Sequence, residues 1–533
     1  MLGERRSSRF PLLVGMFLLA ALLLPILASC KEEEKTSTGA PTATAAAAAA
    51  TATQSDLIID PVELDTGYVS GTVVGDPGNE VKAYRGIPYA APPVGNLRWK
   101  PPQPVAAWSG IREVTVFGNM CPQGRASWVS GNMGEDCLTL NVFTPAKKTD
   151  EKLPVMVWFH GGGFAVGSAN SPPYTWPSLP QHGVVMVGVN HRLGPIGLLA
   201  LPELSAESSN GVSGNYLFLD LIAALEWVQT NIAAFGGDPD NVTIFGESGG
   251  GGKTDALATS PLATGLFQHA ILESGANSAG VGIRTVLTLE DGEALGEKLV
   301  DKLGIPRDDN VLAALRAVPY ETIVEATAEM SREITAAMPA AEGIGVLDNL
   351  LVDGWLMPDT PTNTYKAGKQ NDVSLMTCTN IGELIAENTV IHLPYLIDAY
   401  TTRLEAVGKA GNGAYAALFT HVPSEWKKEG VLAFHGLELP YVFGMLAVVP
   451  NKVFYDAFAF PSGAQQQDPG LTEDDTNVSE AMMTMWAQFA TTGDPNVEGL
   501  VDWPEWDVSG DQYLDIAWPL QVKTGYSKLV PSE

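Results

Sequence analysis

Short apolar runs recur along the chain, at Leu153–Phe159, Val184–Val189, the Val242, Ile244 and Phe245 group, and Val373–Cys378. Each is too short for a typical helix and is rich in β-branched, aromatic or other large apolar residues, the pattern of a strand buried on both faces. Between the second and third runs, Asn215–Asn231 carries apolar residues at helical spacing, and after the third a stretch of small residues is predicted to open another helix. Strands alternating with helices predict an α/β fold, a large mostly parallel sheet covered by helices on both faces. Nearer the start, Thr72–Tyr84 reads as a hairpin turning at Asp76-Pro77-Gly78-Asn79. The proline- and aromatic-rich stretch from Tyr84 to Pro93, with Leu97-Arg98-Trp99 after it, is predicted to be a rigid surface segment. Val286–Glu342 shows little periodicity; with Ser168–Pro180 it is expected to supply pocket residues.

One further apolar run, Pro11–Leu27, belongs to a different grammar. Arg5, Arg6 and Arg9 precede it, and Leu27-Ala28-Ser29-Cys30 follows. A basic start, an apolar middle and small residues before a cut describe a signal peptide, and L-A-S-C resembles the bacterial lipobox, in which the cysteine becomes an acylated N-terminus. The alternative is a retained membrane anchor, but the run falls short of a comfortable span and Pro25 interrupts it. Residues 1–29 are therefore expected to be a lipoprotein signal peptide, 30–56 an acylated cysteine with a disordered Ala/Thr-rich tether, and 57–533 a single domain. The protein is expected at the cell surface or in the periplasm, held to a membrane through Cys30.

Composition sharpens this picture at two points. The formal net charge of −30 argues against nucleic acid as a partner. Export makes a disulfide between Cys121 and Cys137 reasonable, and Cys378, among apolar neighbours, reads as an inert buried thiol.

The candidate chemistry centres on Asn241–Thr254, N-V-T-I-F-G-E-S-G-G-G-G-K-T. Here G-x-S-x-G stands between a strand and a helix, the signature of a nucleophile elbow with Ser248 at its tip. Side chains at Gly246 and Gly250 would collide with neighbouring elements on so tight a turn. A phosphate-loop reading of Gly252-Lys253-Thr254 fails, because that motif requires glycine where Glu247 stands. Upstream, His160-Gly161-Gly162-Gly163-Phe164 follows a strand, the H-G-G-G pattern whose backbone N–H groups supply oxyanion donors in lipases and esterases. His160 itself is expected to be structural. A serine nucleophile needs a base, and in this chain order the base follows an acid that follows the serine. His392, His421 and His435 remain, and His435 is favoured because Gly436 allows a tight loop.

Taken together these stretches resemble the type-B carboxylesterase family of α/β hydrolases, which includes cholinesterases and bacterial para-nitrobenzyl esterases. The resemblance rests on Y-R-G-I-P-Y-A at 84–90, E-D-C-L-T-L-N-V at 135–142, H-G-G-G-F at 160–164 and N-H-R-L-G-P-I-G at 190–197. It continues through A-L-E-W-V-Q at 224–229, F-G-G-D-P-D-N-V-T-I-F-G-E-S at 235–248, F-H-G-L-E-L-P-Y-V-F-G at 434–444 and W-A-Q-F-A-T-T-G-D-P-N at 486–496. It implies the α/β-hydrolase fold, with helical insertions around an active-site gorge, and a serine carboxylesterase acting on small-molecule esters through an acyl-enzyme. It also implies a Ser248–Glu383–His435 triad, oxyanion donors at Gly162, Gly163 and Gly249, and no metal or cofactor. Glu387, one helical turn beyond Glu383, is the alternative acid, and Asp353 matches a structural motif. The chain departs from the family in having Gly249 where alanine is usual and His191 where tyrosine is usual. A reading from another class is a catalytically silent surface-binding module; such a relative would have lost the serine, the histidine or the glycine loop, and all three are present here.

Overall fold

The apolar runs do form the centre of a sheet. The computed structural model describes residues 57–124, 129, 131–277, 286–337, 346–383, 385–386, 389–390, 393–448 and 468–529. The expected signal peptide, Cys30 and its tether, together with Glu387 and His392, lie outside the described residues. In chain order the main sheet contains β1 (Thr72–Val74), β2 (Val81–Pro88), β3 (Thr139–Thr144), β4 (Leu153–Phe159), β5 (Val185–Val189), β6 (Gly237–Glu247), β7 (His269–Glu273), β8 (Ser374–Asn380), β9 (Ala414–Phe419), β10 (Gln512–Ile516) and β11 (Gln521–Thr524). Their spatial order is β1-β2-β3-β5-β4-β6-β7-β8-β9-β10-β11. From β5 to β10 the strands run parallel, while β1, β2 and β3 on one flank and β11 on the other pair antiparallel.

Alternation along each central strand sorts side chains between two cores. Val155, Val157 and Phe159 face one side, with α1 (Tyr216–Asn231), α2 (Gly249–Thr259) and α3 (Leu393–Ala410). Met156 and Trp158 face the other, with α4 (Glu473–Thr492). Both faces of these parallel strands are thus covered, which is why they read as continuous apolar runs.

Register determines where chemistry can gather. Phe159 lies beside Gly246, Glu247 beside Glu273, and Glu273 beside Cys378. The carboxyl ends of β4, β6, β7 and β8 therefore emerge side by side. The glycine loop, Ser248, Ser274 and the Glu383 loop follow those four ends in turn.

Two expectations need correction. The Tyr84–Trp99 stretch is not a surface segment: Tyr84, Ile87, Tyr89 and Trp99 are buried. Their polar atoms find partners, with Tyr84 Oη donating to Asp60 Oδ1 at 2.8 Å, Tyr89 Oη to the Asn190 carbonyl at 2.7 Å and Trp99 Nε1 to the Pro195 carbonyl at 2.8 Å. Those bonds remove the desolvation cost that aromatic polar groups otherwise carry into a core. The stretch after Val286, read as showing little periodicity, forms helices at Leu289–Lys302, Val311–Ala317 and Tyr320–Ala337. The first starts on a reciprocal cap between Thr288 and Asp291. The expected Cys121–Cys137 disulfide is present, and Cys378 is a free, buried thiol.

Candidate active site

Ser248 joins β6 to α2 with φ 56°, a left-handed value that a residue with a side chain adopts only under constraint. The constraint is the close approach of backbones. A Cβ at Gly250 would stand 1.9 Å from the Phe159 carbonyl oxygen, and one at Gly246 would stand 2.5 Å from it. Behind the turn, the Ser248 N–H donates to the Glu273 carbonyl at 2.8 Å. Ser248 itself remains half-buried.

The glycine loop after β4 lies directly against this turn. A Cβ at Gly161 would meet Glu247 Oε2 at 2.8 Å and Ser248 Cβ at 3.6 Å. Gly162 and Gly163 have φ 86° and 71°, conformations that glycine adopts without strain. Among the described residues, the N–H groups of Gly162, Gly163 and Gly249 donate to no protein acceptor. Gly249 plays a steric part that the sequence reading did not anticipate: a Cβ there would lie 2.1 Å from the Gly163 carbonyl oxygen. The missing methyl is thus replaced by the glycine loop itself.

Glu383 and His435, far apart in sequence, are brought together by backbone pairing. The Gly382 N–H donates to the Ala433 carbonyl at 2.8 Å, and Gly436 turns the chain with φ 79°. Glu383 Oε2 then lies 2.5 Å from His435 Nδ1, while Oε1 accepts from Thr379 Oγ1 at 3.1 Å and the Asn380 N–H at 3.0 Å. Burial alone would raise the Glu383 pKa, but the His435 charge and the hydrogen bonds from His435, Ser274 and the Asn380 N–H outweigh it and hold it below the usual value. The other imidazole nitrogen, Nε2, lies 3.1 Å from Glu247 Oε1, beside the residue that carries the nucleophile candidate. Burial would lower the His435 pKa; the charges of Glu383 and then Glu247 overcome it and push it up to about 10.

Of the other candidate bases, His392 lies outside the described residues and His421 is occupied elsewhere, as is the structural His160. His421 Nε2 lies 2.9 Å from Asp475 Oδ1, and His160, buried, stacks on His191 with ring centroids 4.6 Å apart. Asp353 is structural: Oδ1 accepts the Trp355 and Met357 N–H groups at 2.9 Å each.

Several residues around the site escaped the sequence reading. Glu273 ends β7 and accepts from Trp486 Nε1 at 2.6 Å; burial first, then Glu438, raises its pKa to about 8. Glu438 accepts from Asn380 Nδ2 and, at 3.4 Å, from Ser274 Oγ, and burial followed by Glu383 raises it to about 7. Glu247 is likewise raised well above its ordinary value by burial. Lys253, weighed only as part of a phosphate-loop lookalike, is buried on α2, and its Nζ donates to the His160 carbonyl at 2.7 Å. It ties the helix behind the nucleophile candidate to the start of the glycine loop.

A half-buried serine on a strand–helix turn, with a glycine loop against it and a carboxylate-bound histidine beside it, at the carboxyl edge of a parallel sheet, defines an α/β hydrolase. The carboxylesterase family profile matches residues 60–393 and 385–530. The chain belongs to that family and is a carboxylic ester hydrolase. It is 34% identical to the para-nitrobenzyl esterase of Bacillus subtilis (strain 168) over 471 residues, covering 81% of this chain and 91% of the relative. It is 33% identical to the fumonisin B1 esterase of Sphingopyxis macrogoltabida over 488 residues, covering 83% and 84%. A solved para-nitrobenzyl esterase structure superposes with a TM-score of 0.71 at 30% identity, covering 87% of this chain and 97% of the other.

The contact between Gly249 and the glycine loop generates a test. Gly249→Ala installs the residue usual in the family, yet here it must displace the Gly163 carbonyl. Turnover of a short-chain ester is expected to fall by about a hundredfold, the scale of a lost oxyanion donor, with an unchanged circular dichroism spectrum. Unchanged turnover would show that the loop yields to a methyl group without consequence.

Proposed function

We propose that ester hydrolysis proceeds through an acyl-enzyme on Ser248, with His435 as general base and acid, Glu383 as its orienting carboxylate, and the N–H groups of Gly162, Gly163 and Gly249 as oxyanion donors. The observation that carries the reading is the Glu383–His435 pair at 2.5 Å through Nδ1, with Nε2 turned to the elbow. A carboxylate on Nδ1 fixes the tautomer in which Nε2 is the proton acceptor, and it stabilises the imidazolium that results. His435 removes the Ser248 hydroxyl proton as Oγ attacks the ester carbonyl. The oxyanion is received by the three N–H groups, which find no acceptor among the described residues. His435 protonates the departing alcohol, and water, activated the same way, releases the acid from Ser248.

Ser248→Ala is expected to reduce turnover by at least about 10⁴-fold while the protein stays folded. Glu383→Gln is expected to be more damaging than Glu387→Gln; the reverse order in a kinetic comparison would reassign the acid.

The pH profile follows from the charges around His435. Only neutral His435 can accept the proton, so activity falls as pH drops through its pKa. The upward shift caused by Glu383 and Glu247 places that acid limb above the ordinary histidine value of about 6.5, where the sequence alone would have put it. Glu247→Gln removes one charge that favours the imidazolium, so the limb in kcat/KM should move to lower pH. A limb that stays in place would mean that Glu247 carries no charge in the free enzyme.

We further propose that the protein is exported and anchored through an acylated Cys30, with residues 30–56 as a tether. The signal grammar of residues 1–29 supports this, as does the Cys121–Cys137 disulfide, a feature of oxidising compartments. Labelled palmitate is expected in the mature protein and absent after Cys30→Ala; label that survives the substitution would refute the anchor.

A further inference from the structure

A cleft of about 550 Å³, whose lining includes none of Ser248, Glu383 and His435, opens beside the edge strand β1, lined among others by Val74, Asp76, Arg85, Phe117, Trp176 and Met445. Its volume falls within the range of small-molecule sites. Arg85 stands out chemically. Acidic residues outnumber lysines and arginines in this chain by 61 to 31, yet no carboxylate lies within 4.0 Å of the Arg85 guanidinium among the described residues. Its Nη1 reaches only Thr72 Oγ1 at 3.3 Å and the Thr115 carbonyl at 3.4 Å, both long, and its Nε is buried without an acceptor. By contrast, buried Arg192 and Arg403 each hold an aspartate through paired bonds, Asp220 and Asp255 respectively.

Apolar surface surrounds that cation. The guanidinium carbon lies 5.1 Å from the Phe117 ring centroid and 5.9 Å from that of Phe143. Trp176 is 46% exposed and Phe117 37%, and nearby in sequence Val73 and Val116 are exposed as well. Large apolar side chains left in water beside a cation that no carboxylate pairs among the described residues describe a place for an amphipathic anion rather than for a bare ion.

We propose that this cleft is a second binding site, separate from the hydrolytic centre, for an aromatic monocarboxylate whose carboxylate pairs with Arg85 and whose ring packs against Phe117 and Trp176. A carboxylate matches the guanidinium's Nη pair, where Nη2 is not enclosed and has no protein acceptor among the described residues. An aryl group gains from burial against two aromatic faces. Asp76 also lines the cleft, so a second negative charge on the ligand would be repelled. The site requires neither Ser248 nor the reaction assigned to it.

Isothermal titration of the full chain with 2-naphthoate tests this, with 2-naphthamide and acetate as controls. Saturable binding at one site per chain is expected, retained in Ser248→Ala and weakened about tenfold or more in Arg85→Gln and in Trp176→Ala. The neutral amide and the ringless acetate should each bind about tenfold or more weakly than naphthoate. Absence of saturable binding would overturn the proposal. Equal affinity for the amide, loss of binding in Ser248→Ala, or unaltered affinity in Trp176→Ala would do so as well. Trp176 is exposed, so its variant decides the matter even where Arg85→Gln fails to fold.

Discussion

The active site depends on one steric constraint: nothing larger than hydrogen fits between the end of β4 and the first turn of α2. Gly250 lies so close to the Phe159 carbonyl that a Cβ would stand 1.9 Å from it, and Gly275 lies equally close to the Ser248 carbonyl. Backbone packed against backbone in this way leaves Ser248 no relaxed conformation, so it stays at φ 56° with its side chain clear of the sheet. The same approach brings the glycine loop against the turn. A rigidly held candidate nucleophile and a set of N–H groups that find no protein acceptor among the described residues thus arise from a single packing requirement, so the candidate site is preorganised for the proposed reaction.

Electrostatics impose a second order on the same space. Glu247, Glu273, Glu383 and Glu438 are all fully or almost fully buried. Only Glu383, which receives His435, Thr379 Oγ1 and the Asn380 N–H, is held below the ordinary carboxylate range. Burial raises the other three, because few donors offset the loss of water around them. Position relative to hydrogen-bond donors therefore distinguishes one carboxylate from its neighbours of the same type.

What the sequence reveals divides along the distance between partners. Gly246, Ser248 and Gly250 are adjacent, and their meaning is local, so the elbow was legible directly. So were β4, β5 and the Tyr216–Asn231 helix, whose apolar patterns reflect burial on both faces or one. The Glu383–His435 pair spans 52 residues, and no spacing rule reaches that far; it was reached through family resemblance. Glu273, Glu438 and Lys253 were overlooked because a charged residue is ordinarily exposed, and only strand register and helix placement show that these are enclosed. Tyr84 and Trp99 were misplaced for a related reason: proline-rich aromatic segments suggest surface until their hydroxyl and indole partners are known.

The chain's acidity bears differently on its two candidate sites. At the hydrolytic centre, four carboxyl groups near Ser248 would oppose an oxyanion forming under the proposed reaction if all were ionised. With Glu273 raised to about 8 by burial and then by Glu438, part of that charge is absent at neutral pH. The imidazolium of His435 balances Glu383, so the developing charge meets a nearly neutral enclosure and N–H dipoles. Burial, which makes isolated carboxylates costly, here suppresses the repulsion that their number would suggest. At the Arg85 cleft no such cancellation operates. There Arg85, with no carboxylate beside it among the described residues, stands against a formal charge of −30, and long-range repulsion works against any anion that approaches. Retention at that cleft must then come from short-range contact, from paired hydrogen bonds and aromatic packing, and so it should persist at an ionic strength that screens the surface.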